Sequence, residues 1–371
     1  MNIKYNSGLC FVFGILFVLQ STAQETIEKL SFLDSYVVSN ELYLSGTLLG
    51  GLSGIDRVGE TYYLVADDAK NPRLYTAKIS VKNRKITNIA FTNVITLHGV
   101  SADFGRKQVY DLEAIVVDTL RNTIFLTSEG SIRNSKSPFL FAVSETGKRI
   151  RTLNVPTRFS AKNKVGPYHN GAFEGLCKSI DGKGLWTAME LPLKIDGKRP
   201  GFVTAAYPVR ITYFEKDSGN ATMEFSYVLA SLERPEKGRV NINGLTALLA
   251  YNSQQFLVVE RSYQSGYAGD TNRVRIFTAT TDENTTNTLS VSSLKEAEIT
   301  PAKKALLFDF ESVKHLLSSG MIDNIEGITF GPVLANGNRT LLLVSDNNFN
   351  AFGAQENQFI LLEIHTKKQH E

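Results

Sequence analysis

The fold of this chain is indicated by one stretch, Asn170-Gly171-Ala172-Phe173-Glu174-Gly175-Leu176, which leads through the apolar run 185–189 to Glu190. An acidic or amide residue beside Gly or Ala, two strand-like runs separated by a polar break, and a closing acid form one unit. Four other segments follow the same order. They start at Ser53, Glu113, Asn243 and Glu326 and close at Asp67, Glu129, Glu260 and Asp346, respectively.

The spacing of these copies fits repeated pairs of antiparallel strands. The first polar residue and the closing acid are 14 residues apart from Ser53 to Asp67 and 20 apart from Glu326 to Asp346. Units that bury their apolar faces only against their neighbours, at periods of 60 to 83 residues here, are typical of four-stranded propeller blades. The alternative is that Glu-Gly and Asp-Gly pairs are ordinary turns of another all-β protein. Five copies, each ending in an acid, argue against it.

Further strand-like segments lie downstream of the closing acids, where the third strand of each blade is expected. We predict an all-β protein with a single β-propeller over residues 28–366, built from five or six four-stranded blades. The sixth blade stays open because the longest interval could hide a degenerate copy, and because segment 41–44 could close the ring against the last blade. A short helical insertion is predicted at 310–319, ended by Gly320.

The first 23 residues have the pattern of a signal peptide. Lys4 precedes an apolar run at 9–19, and Ser21-Thr22-Ala23 gives a cleavage site after Ala23 or Gln24. The run is shorter than the roughly 20 apolar residues that cross a bilayer. We therefore expect an exported protein, periplasmic or extracellular, with no membrane span.

Charge and cysteine content exclude several classes of function. Removal of Lys4 leaves 39 basic against 37 acidic residues, and no Lys/Arg cluster points to nucleic acid or an anionic membrane. Cys177 is the only cysteine left, which excludes an intrachain disulfide and a thiolate metal cluster, and it is expected to be a small buried hydrophobe. We expect a monomer with a small-molecule ligand.

The repeat predicts a ring of carboxylates at one mouth of the central channel, because the innermost strand of every blade lines that channel. Such a ring binds a cation or is neutralised by nearby Arg and Lys, for which Arg261 and Arg133 are placed. An oxygen-rich set without thiolates suits Ca²⁺. Ser53 and Asn243 replace acid in two copies. The candidate metal ligands are Asp67, Glu113, Glu129, Glu174, Glu190, Glu260, Glu326 and Asp346.

These motifs resemble the phytase-like family, often labelled "esterase-like activity of phytase". The resemblance covers most of the chain after the signal peptide. It is carried by Asp111-Leu112-Glu113-Ala114, Ser128-Glu129, Asn170, Glu174-Gly175-Leu176, Glu190, Asn324, Glu326-Gly327 and Ser345-Asp346-Asn347-Asn348-Phe349.

The resemblance implies an exported bacterial propeller that hydrolyses phosphate esters with Ca²⁺ at the channel mouth. It makes Glu113, Glu174, Glu190 and Glu326 candidate catalytic residues, and His169, just before the central motif, a candidate acid, base or ligand. Substrate phosphates require basic partners near the acidic ends of the repeats. The candidates are Arg133, Lys194, Arg210, Arg261 and Arg273.

Two other functions stay open. A Ca²⁺-dependent lactonase or arylesterase would use a similar ring to hold a single metal ion. A non-catalytic propeller would bind a ligand, glycan or protein at its mouth, for which Tyr263, Tyr267 and the aromatic segment 349–352 are suited. No G-x-S-x-G elbow is present, so covalent serine chemistry is not predicted.

Overall fold

The structure, a computed structural model, describes residues 25–98, 108–203, 205–351 and 353–368. They form five four-stranded antiparallel sheets and one two-stranded hairpin, with little helix. The innermost strands of neighbouring sheets contact one another around a ring. The fold is therefore a five-bladed β-propeller, and the open choice between five and six blades is settled at five. The predicted signal peptide lies outside the described residues.

The strands follow one another outward within blades 1 to 4. Strand β1 is Glu25–Val38, and the hairpin is β2 (Tyr43–Leu44) with β3 (Thr47–Leu48). Blade 1 contains β4 (Leu52–Val58), β5 (Thr61–Ala66), β6 (Arg73–Lys82) and β7 (Lys85–Thr96). Blade 2 contains β8 (Leu112–Asp118), β9 (Thr123–Ser128), β10 (Phe139–Ser144) and β11 (Arg149–Thr152). Blade 3 contains β12 (Phe173–Lys178), β13 (Gly184–Met189), β14 (Tyr207–Glu215) and β15 (Ala221–Leu229). Blade 4 contains β16 (Asn241–Ala250), β17 (Gln255–Gln264), β18 (Asn272–Thr280) and β19 (Lys303–Asp309). The last three strands are β20 (Ile325–Phe330), β21 (Thr340–Ser345) and β22 (Asn357–Lys368).

The ring is closed by the first strand of the described residues. Strand β1 pairs antiparallel with β22, from Glu25 opposite Lys368 to Val38 opposite Asn357, and so forms the outermost strand of blade 5. The prediction that segment 41–44 closes the ring is wrong, because that segment belongs to the β2–β3 hairpin. The longest interval between copies holds β18, β19 and a 3₁₀ helix at Phe310–Leu316, where the helical insertion was predicted.

The core lies between the blades, because alternate residues of each strand face one neighbouring blade or the other. The largest cluster joins blades 3 and 4 around Trp186, which contacts the rings of Tyr213, Phe225 and Phe256. Cys177 is buried in the same cluster, and burial raises the pKa of its thiol to about 12, as expected for a small hydrophobe. Within the described ranges, no helix has the length and apolar character that a membrane crossing requires.

The Trp186→Ala substitution is expected to lower the free energy of unfolding by about 3–5 kcal/mol, because it removes a large side chain packed between two blades. The measurement is urea unfolding followed by circular dichroism. Leu120→Ala is the matched control, since Leu120 is 91% exposed, and it should change stability by less than about 0.5 kcal/mol. Equal effects of the two substitutions would contradict this packing.

Candidate metal centre

Each innermost strand has a β-bulge near its start. The ladder to the second strand skips a residue between Leu52 and Gly54, between Phe173 and Gly175, and between Ile325 and Gly327. A bulge leaves one residue unpaired and redirects its side chain, here at the end of the channel where the innermost strands begin. The residues at this position in blades 1 to 5 are Ser53, Glu113, Glu174, Thr246 and Glu326.

The small residue after each bulge allows neighbouring innermost strands to approach closely. A Cβ atom on Gly54 would lie 2.8 Å from the Ala114 Cα and the Glu113 carbonyl oxygen, and one on Gly175 would lie 2.8 Å from the Leu248 Cβ. Neither glycine has a positive φ. The Ser-Gly and Glu-Gly pairs are therefore not turns. They mark the points at which backbone crowding brings the bulged side chains of different blades together.

The position of the bulge corrects how the sequence copy in blade 4 aligns with the other four copies. Its register shift lies between Leu245 and Ala247, so Thr246, not Asn243, is equivalent to Glu174. Asn243 lies three residues earlier, and its Nδ2 donates to the Ala230 carbonyl (2.9 Å) and to Glu260 Oε2 (2.8 Å). Thr246 in turn donates its hydroxyl to the Ile325 carbonyl at 2.8 Å.

The same register changes the closing residue of blade 4. In blades 1 and 3, the residue before the bulge pairs with Ala66 or Met189, and the closing acid comes next. In blade 4, Leu245 pairs with Glu260, so the next residue is Arg261. The second position of the ring is therefore held by Asp67, Glu129, Glu190, Arg261 and Asp346. Four of these five closing positions hold an acid, and the fifth holds the guanidinium of Arg261.

Glu260, predicted as a metal ligand, is bound elsewhere. Its carboxylate accepts hydrogen bonds from the Tyr227 hydroxyl at 2.6 Å, from the Ala230 amide at 3.0 Å and from Asn243, and it pairs with Lys304. Tyr227 lies on the last strand of blade 3 and Ala230 directly follows it, whereas Asn243 and Lys304 lie on strands of blade 4. The prediction is corrected: Glu260 joins two blades, and its four partners already satisfy its oxygens.

Five carboxylates of blades 1 to 3 are brought together at the mouth. Carboxylate oxygens of Asp67, Asp111 and Glu113 lie within 4.8 Å of one another, and so do those of Glu113, Glu129 and Glu174. Glu113, Glu129 and Glu174 are buried. Ca²⁺–oxygen distances of about 2.3–2.6 Å are compatible with oxygens at these separations, so the residues fit a hard cation. Asp111 belongs to the site although it was not among the predicted ligands; it lies at the start of a repeat copy, two residues before Glu113.

Burial and mutual repulsion raise the pKa values of these carboxyl groups. Burial first, then the charges of Glu174, Asp67, Asp111 and Glu129, hold the pKa of Glu113 well above its usual range. Burial and Glu190 raise the pKa of Glu129 to about 8, although the amides of Ala172 and Gly171 lower it. The pKa values of Asp67, Glu174 and Asp346 are likewise well above their usual range, first because of burial.

Arg261 neutralises the other side of the ring. Its Nη2 lies 3.1 Å from Glu326 Oε1 and 3.9 Å from Glu190 Oε1, and the side chain is 13% exposed. Burial would lower the pKa of Arg261, but Glu326, Glu190 and Glu174 raise it above its usual value. Within the described residues, no Lys or Arg forms an ion pair with the carboxylates of Asp67, Glu113, Glu129 or Glu174. One side of the ring is therefore neutralised by an arginine, and the other side has a carboxylate cluster whose geometry fits a cation.

Two buried carboxylate oxygens of the ring have no hydrogen-bond partner among the described residues. They are Oδ1 of Asp67 and Oε2 of Glu190, whose residue is only 1% exposed. A buried polar oxygen left without a hydrogen-bond partner costs about 1–3 kcal/mol, and more if it is charged. These atoms therefore point to a bound group at the mouth.

Three predicted residues lie beside the ring. Arg133 is in a 3₁₀ helix after β9, and His169 precedes the central motif. Burial and Arg133 lower the pKa of His169, whereas Asp111 raises it, which places both residues near the acidic cluster. The Lys194 Nζ and the Arg199 Cζ lie 5.6 and 4.7 Å from the centre of the Tyr168 aromatic ring. Arg199 also donates to the His169 carbonyl at 3.1 Å. Arg199 is a basic residue of this rim that the predictions did not include.

Two predicted substrate-binding arginines lie away from the mouth. Arg210 is fully buried and binds Asp196 through Nε and Nη2 at 2.6 and 2.8 Å and Glu224 through Nη1 at 2.6 Å, so it has no exposed surface to offer a substrate. That prediction is corrected. Arg273 pairs with Glu311 at 2.5 Å and lines a separate cavity of about 260 Å³ on the outer part of blade 4.

Comparison with known families identifies the chain. The model of the phytase-like family, described as esterase-like activity of phytase, matches residues 47–349. The chain belongs to this family. The match covers all five bulges and all five closing positions. Membership supports a hydrolase-type function and agrees with the resemblance seen in the sequence. No curated protein matches the chain.

Several solved structures align with the chain at low sequence identity. The endo-arabinase from Bacteroides thetaiotaomicron VPI-5482 is 10% identical, with 87% of this chain and 97% of that chain covered and a TM-score of 0.47. The Cellvibrio cellulosa α-L-arabinanase is 11% identical, with 85% and 92% covered and a TM-score of 0.44. The Bacteroides ovatus xyloglucan PUL GH43B is 11% identical, with 89% of this chain and 54% of that chain covered and a TM-score of 0.42. This chain therefore spans about half of that protein.

The metal-free protein is expected to lose stability as the pH rises from about 5 to 8. Glu129 and Glu190, with pKa values of about 8 and about 7, keep protons in the folded state that the unfolded chain releases near its ordinary value of 4.5. Their stabilising contribution is complete below that value and is lost through the folded pKa, at up to about 1.4 kcal/mol per pH unit for each group. Urea unfolding in chelator at several pH values measures the slope.

Glu129→Gln serves as the control for this slope, since the amide keeps the oxygen that accepts from the Ala172 amide but does not titrate. The variant should show a shallower fall in stability than the natural protein. A stability of the natural protein that is constant or increases over this range would show that these carboxyls are not forced together.

Proposed function

We propose that this protein is an exported hydrolase of phosphoric esters that uses Ca²⁺ held at the propeller mouth. The observation that carries the proposal is the carboxylate cluster of a chain of the phytase-like family, in which Glu113, Glu129 and Glu174 are buried and Asp67 and Asp111 half-buried; within the described residues, none of the five forms an ion pair with a Lys or Arg. The sequence pattern of residues 1–23 supports export.

The residues present fit the ion. The donors are all carboxylate oxygens, two groups of three share Glu113, and no thiolate or histidine is among them. Hard cations with flexible coordination prefer such a set. Bound there, Ca²⁺ would supply Lewis-acid polarisation of a phosphoryl oxygen and a lowered pKa of a bound water.

The other residues of the mouth have roles that their own positions support. Arg133, Arg199 and Lys194 surround His169 and Tyr168 beside the acidic cluster, and can bind the negative charge of a phosphate ester. His169, with its pKa lowered by burial and by Arg133, is held largely neutral at pH 7 and is able to accept a proton. Arg261 keeps Glu190 and Glu326 in place on the far side of the ring.

A second candidate is a Ca²⁺-dependent lactonase or arylesterase. It is favoured by one observation: the two groups of three carboxylates share Glu113, so they form one compact centre and not several separate ones. A single ion bound in that centre would serve carboxylic ester hydrolysis without any phosphate contact. Substrate choice separates the two candidates.

Calcium titration of the chelator-treated protein tests the proposal. Ca²⁺ should raise the melting temperature, and the calcium-loaded protein should release phosphate from phytate or p-nitrophenyl phosphate in the same buffer. Hydrolysis of lactones or aryl esters without phosphate release would transfer the assignment to the second candidate. An absence of any response to calcium would refute both.

The Glu174→Gln substitution should weaken Ca²⁺ binding at least about tenfold, equivalent to about 1.4 kcal/mol, and reduce activity in parallel, because the isosteric amide removes charge but little volume. Isothermal titration and the phosphate assay measure the two effects. Glu215→Gln, at an exposed acid of the same blade, is the matched control and should change neither. Unchanged Ca²⁺ affinity in Glu174→Gln would mean that the ion binds elsewhere.

The placement of Glu260 can be tested in the same series. Glu260→Gln should lower stability, because it weakens the contacts to Lys304 and Tyr227, but should leave Ca²⁺ affinity unchanged. Thermal melting in chelator and calcium titration give the two readouts. A loss of Ca²⁺ affinity would restore Glu260 to the set of ligands.

A further inference from the structure

We propose that Arg261 is an internal cation that occupies the place of a metal ion in the carboxylate ring, and that its removal opens an additional divalent-cation site between Glu190 and Glu326. The inference rests on the proposed function only for the identity of the ion used as a probe. It concerns the side of the ring opposite to the cluster of Asp67, Glu113 and Glu129.

The first argument is positional. In blades 1, 2, 3 and 5, the residue that pairs with the one just before the bulge is followed by a carboxylate, and at the same position blade 4 has Arg261. Blade 4 also has Thr246 at the bulge, and the Thr246 hydroxyl donates a hydrogen bond to the Ile325 carbonyl. Blade 4 thus contributes no carboxylate to the ring, and its only charged group there is positive.

The second argument is the set of contacts. The Arg261 guanidinium lies between a carboxylate of blade 3 and one of blade 5, with Nη2 at 3.9 Å from Glu190 and 3.1 Å from Glu326. A cation bridging oxygens from two separate blades is the arrangement that a metal ion provides in an oxygen ring. Glu174 also acts electrostatically on Arg261, so three acids converge on this one cation.

The third argument is that the pairing is incomplete. Oε2 of Glu190, in a residue 1% exposed, and Nε of Arg261 both lack a hydrogen-bond partner among the described residues. A guanidinium with planar, fixed donors satisfies only part of this acidic pocket, whereas an ion with flexible coordination would engage both oxygens of each carboxylate. The pocket therefore retains the capacity to bind an ion once the guanidinium is removed.

The experiment compares Ca²⁺ stoichiometry in the natural protein and in Arg261→Met, which keeps the aliphatic stem but removes the charged group. Each protein is dialysed at pH 8 against a fixed free Ca²⁺ concentration. Bound calcium is then measured by elemental mass spectrometry and divided by the protein concentration to give the number of ions per chain. Arg261→Met should bind one more Ca²⁺ per chain than the natural protein. Its melting temperature should fall in chelator and recover with Ca²⁺ by a larger shift than in the natural protein.

Three further variants make the test specific. Arg261→Lys keeps the charge and should bind no additional ion, and Arg275→Met, on the same blade but paired with Glu233 outside the ring, should not either. The double variant Arg261→Met with Glu190→Gln should lose the additional ion. If Arg261→Met does not fold in chelator, it is folded in Ca²⁺ and then dialysed to the same free concentration before counting.

The results separate this inference from the proposed function. An unchanged count in Arg261→Met, or a gain in Arg261→Lys as well, would overturn the inference even if the natural protein hydrolyses phosphate esters with Ca²⁺. A gain of one ion in Arg261→Met would support the inference even if the natural protein showed no Ca²⁺-dependent hydrolysis, in which case only the proposed function would fail.

Discussion

Repulsion among carboxylates at the propeller mouth is the constraint that the rest of the structure has to balance. Oxygens of Glu113, Glu129 and Glu174 lie within 4.8 Å of one another. Two ionised groups at about that distance repel by roughly 3–4 kcal/mol at an effective dielectric constant of about 20. The fold has three means of reducing this energy: protonation, a bound cation and the guanidinium of Arg261. The raised pKa values of Glu129 and Glu190 and the contacts of Arg261 with Glu190 and Glu326 correspond to the first and third.

The closure of the ring holds these charges in place. Small residues after the bulges bring the innermost strands close together, and the apolar clusters between blades resist their separation. Strand β1 pairs with β22 within blade 5, so the ring cannot open without breaking the ladder from Glu25 to Val38. The acidic mouth therefore depends on contacts at the far ends of the sequence. A propeller with its N-terminal strand unpaired would be free to relieve the repulsion by widening.

Much of the fold could be predicted from the sequence, because the pattern is repeated. Five copies with near-constant spacing predicted a propeller of five or six blades, and the closing residues predicted for blades 1, 2, 3 and 5 hold equivalent positions in the structure. The failure in blade 4 has a physical cause. Asn243-Gly244 matches the appearance of the other copies, but register is set by the bulge at Thr246, which no local signal marks. Glu260 and Arg261 are adjacent, and adjacent side chains of a strand point to opposite faces. A shift of one residue in the strand register therefore places Arg261 in the ring instead of Glu260.

The closing strand and the contents of the site were harder to predict for related reasons. Strand β1 carries bulges after Ile27 and Phe32, which interrupt the alternation of buried and exposed residues that marks a strand. The other copies have no acid at the position of Asp111, because the residues two positions before the other bulged residues are Gly51, Ala172, Gly244 and Asn324. Its contribution becomes visible only when Asp67 and Glu113 are seen beside it.

The ring is also asymmetric, and this asymmetry bears on function more than the number of acids does. Blades 1 to 3 supply the unpaired carboxylates, and the loops of blades 2 and 3 supply Arg133, His169 and Arg199 beside them. Blade 4 supplies Arg261 in place of an acid. A fully symmetric ring would bind cations anywhere around the mouth and attract no anionic ligand. Because one side is neutralised from within, the negative charge that attracts a cation is confined to the side where basic side chains are able to bind an anion next to it.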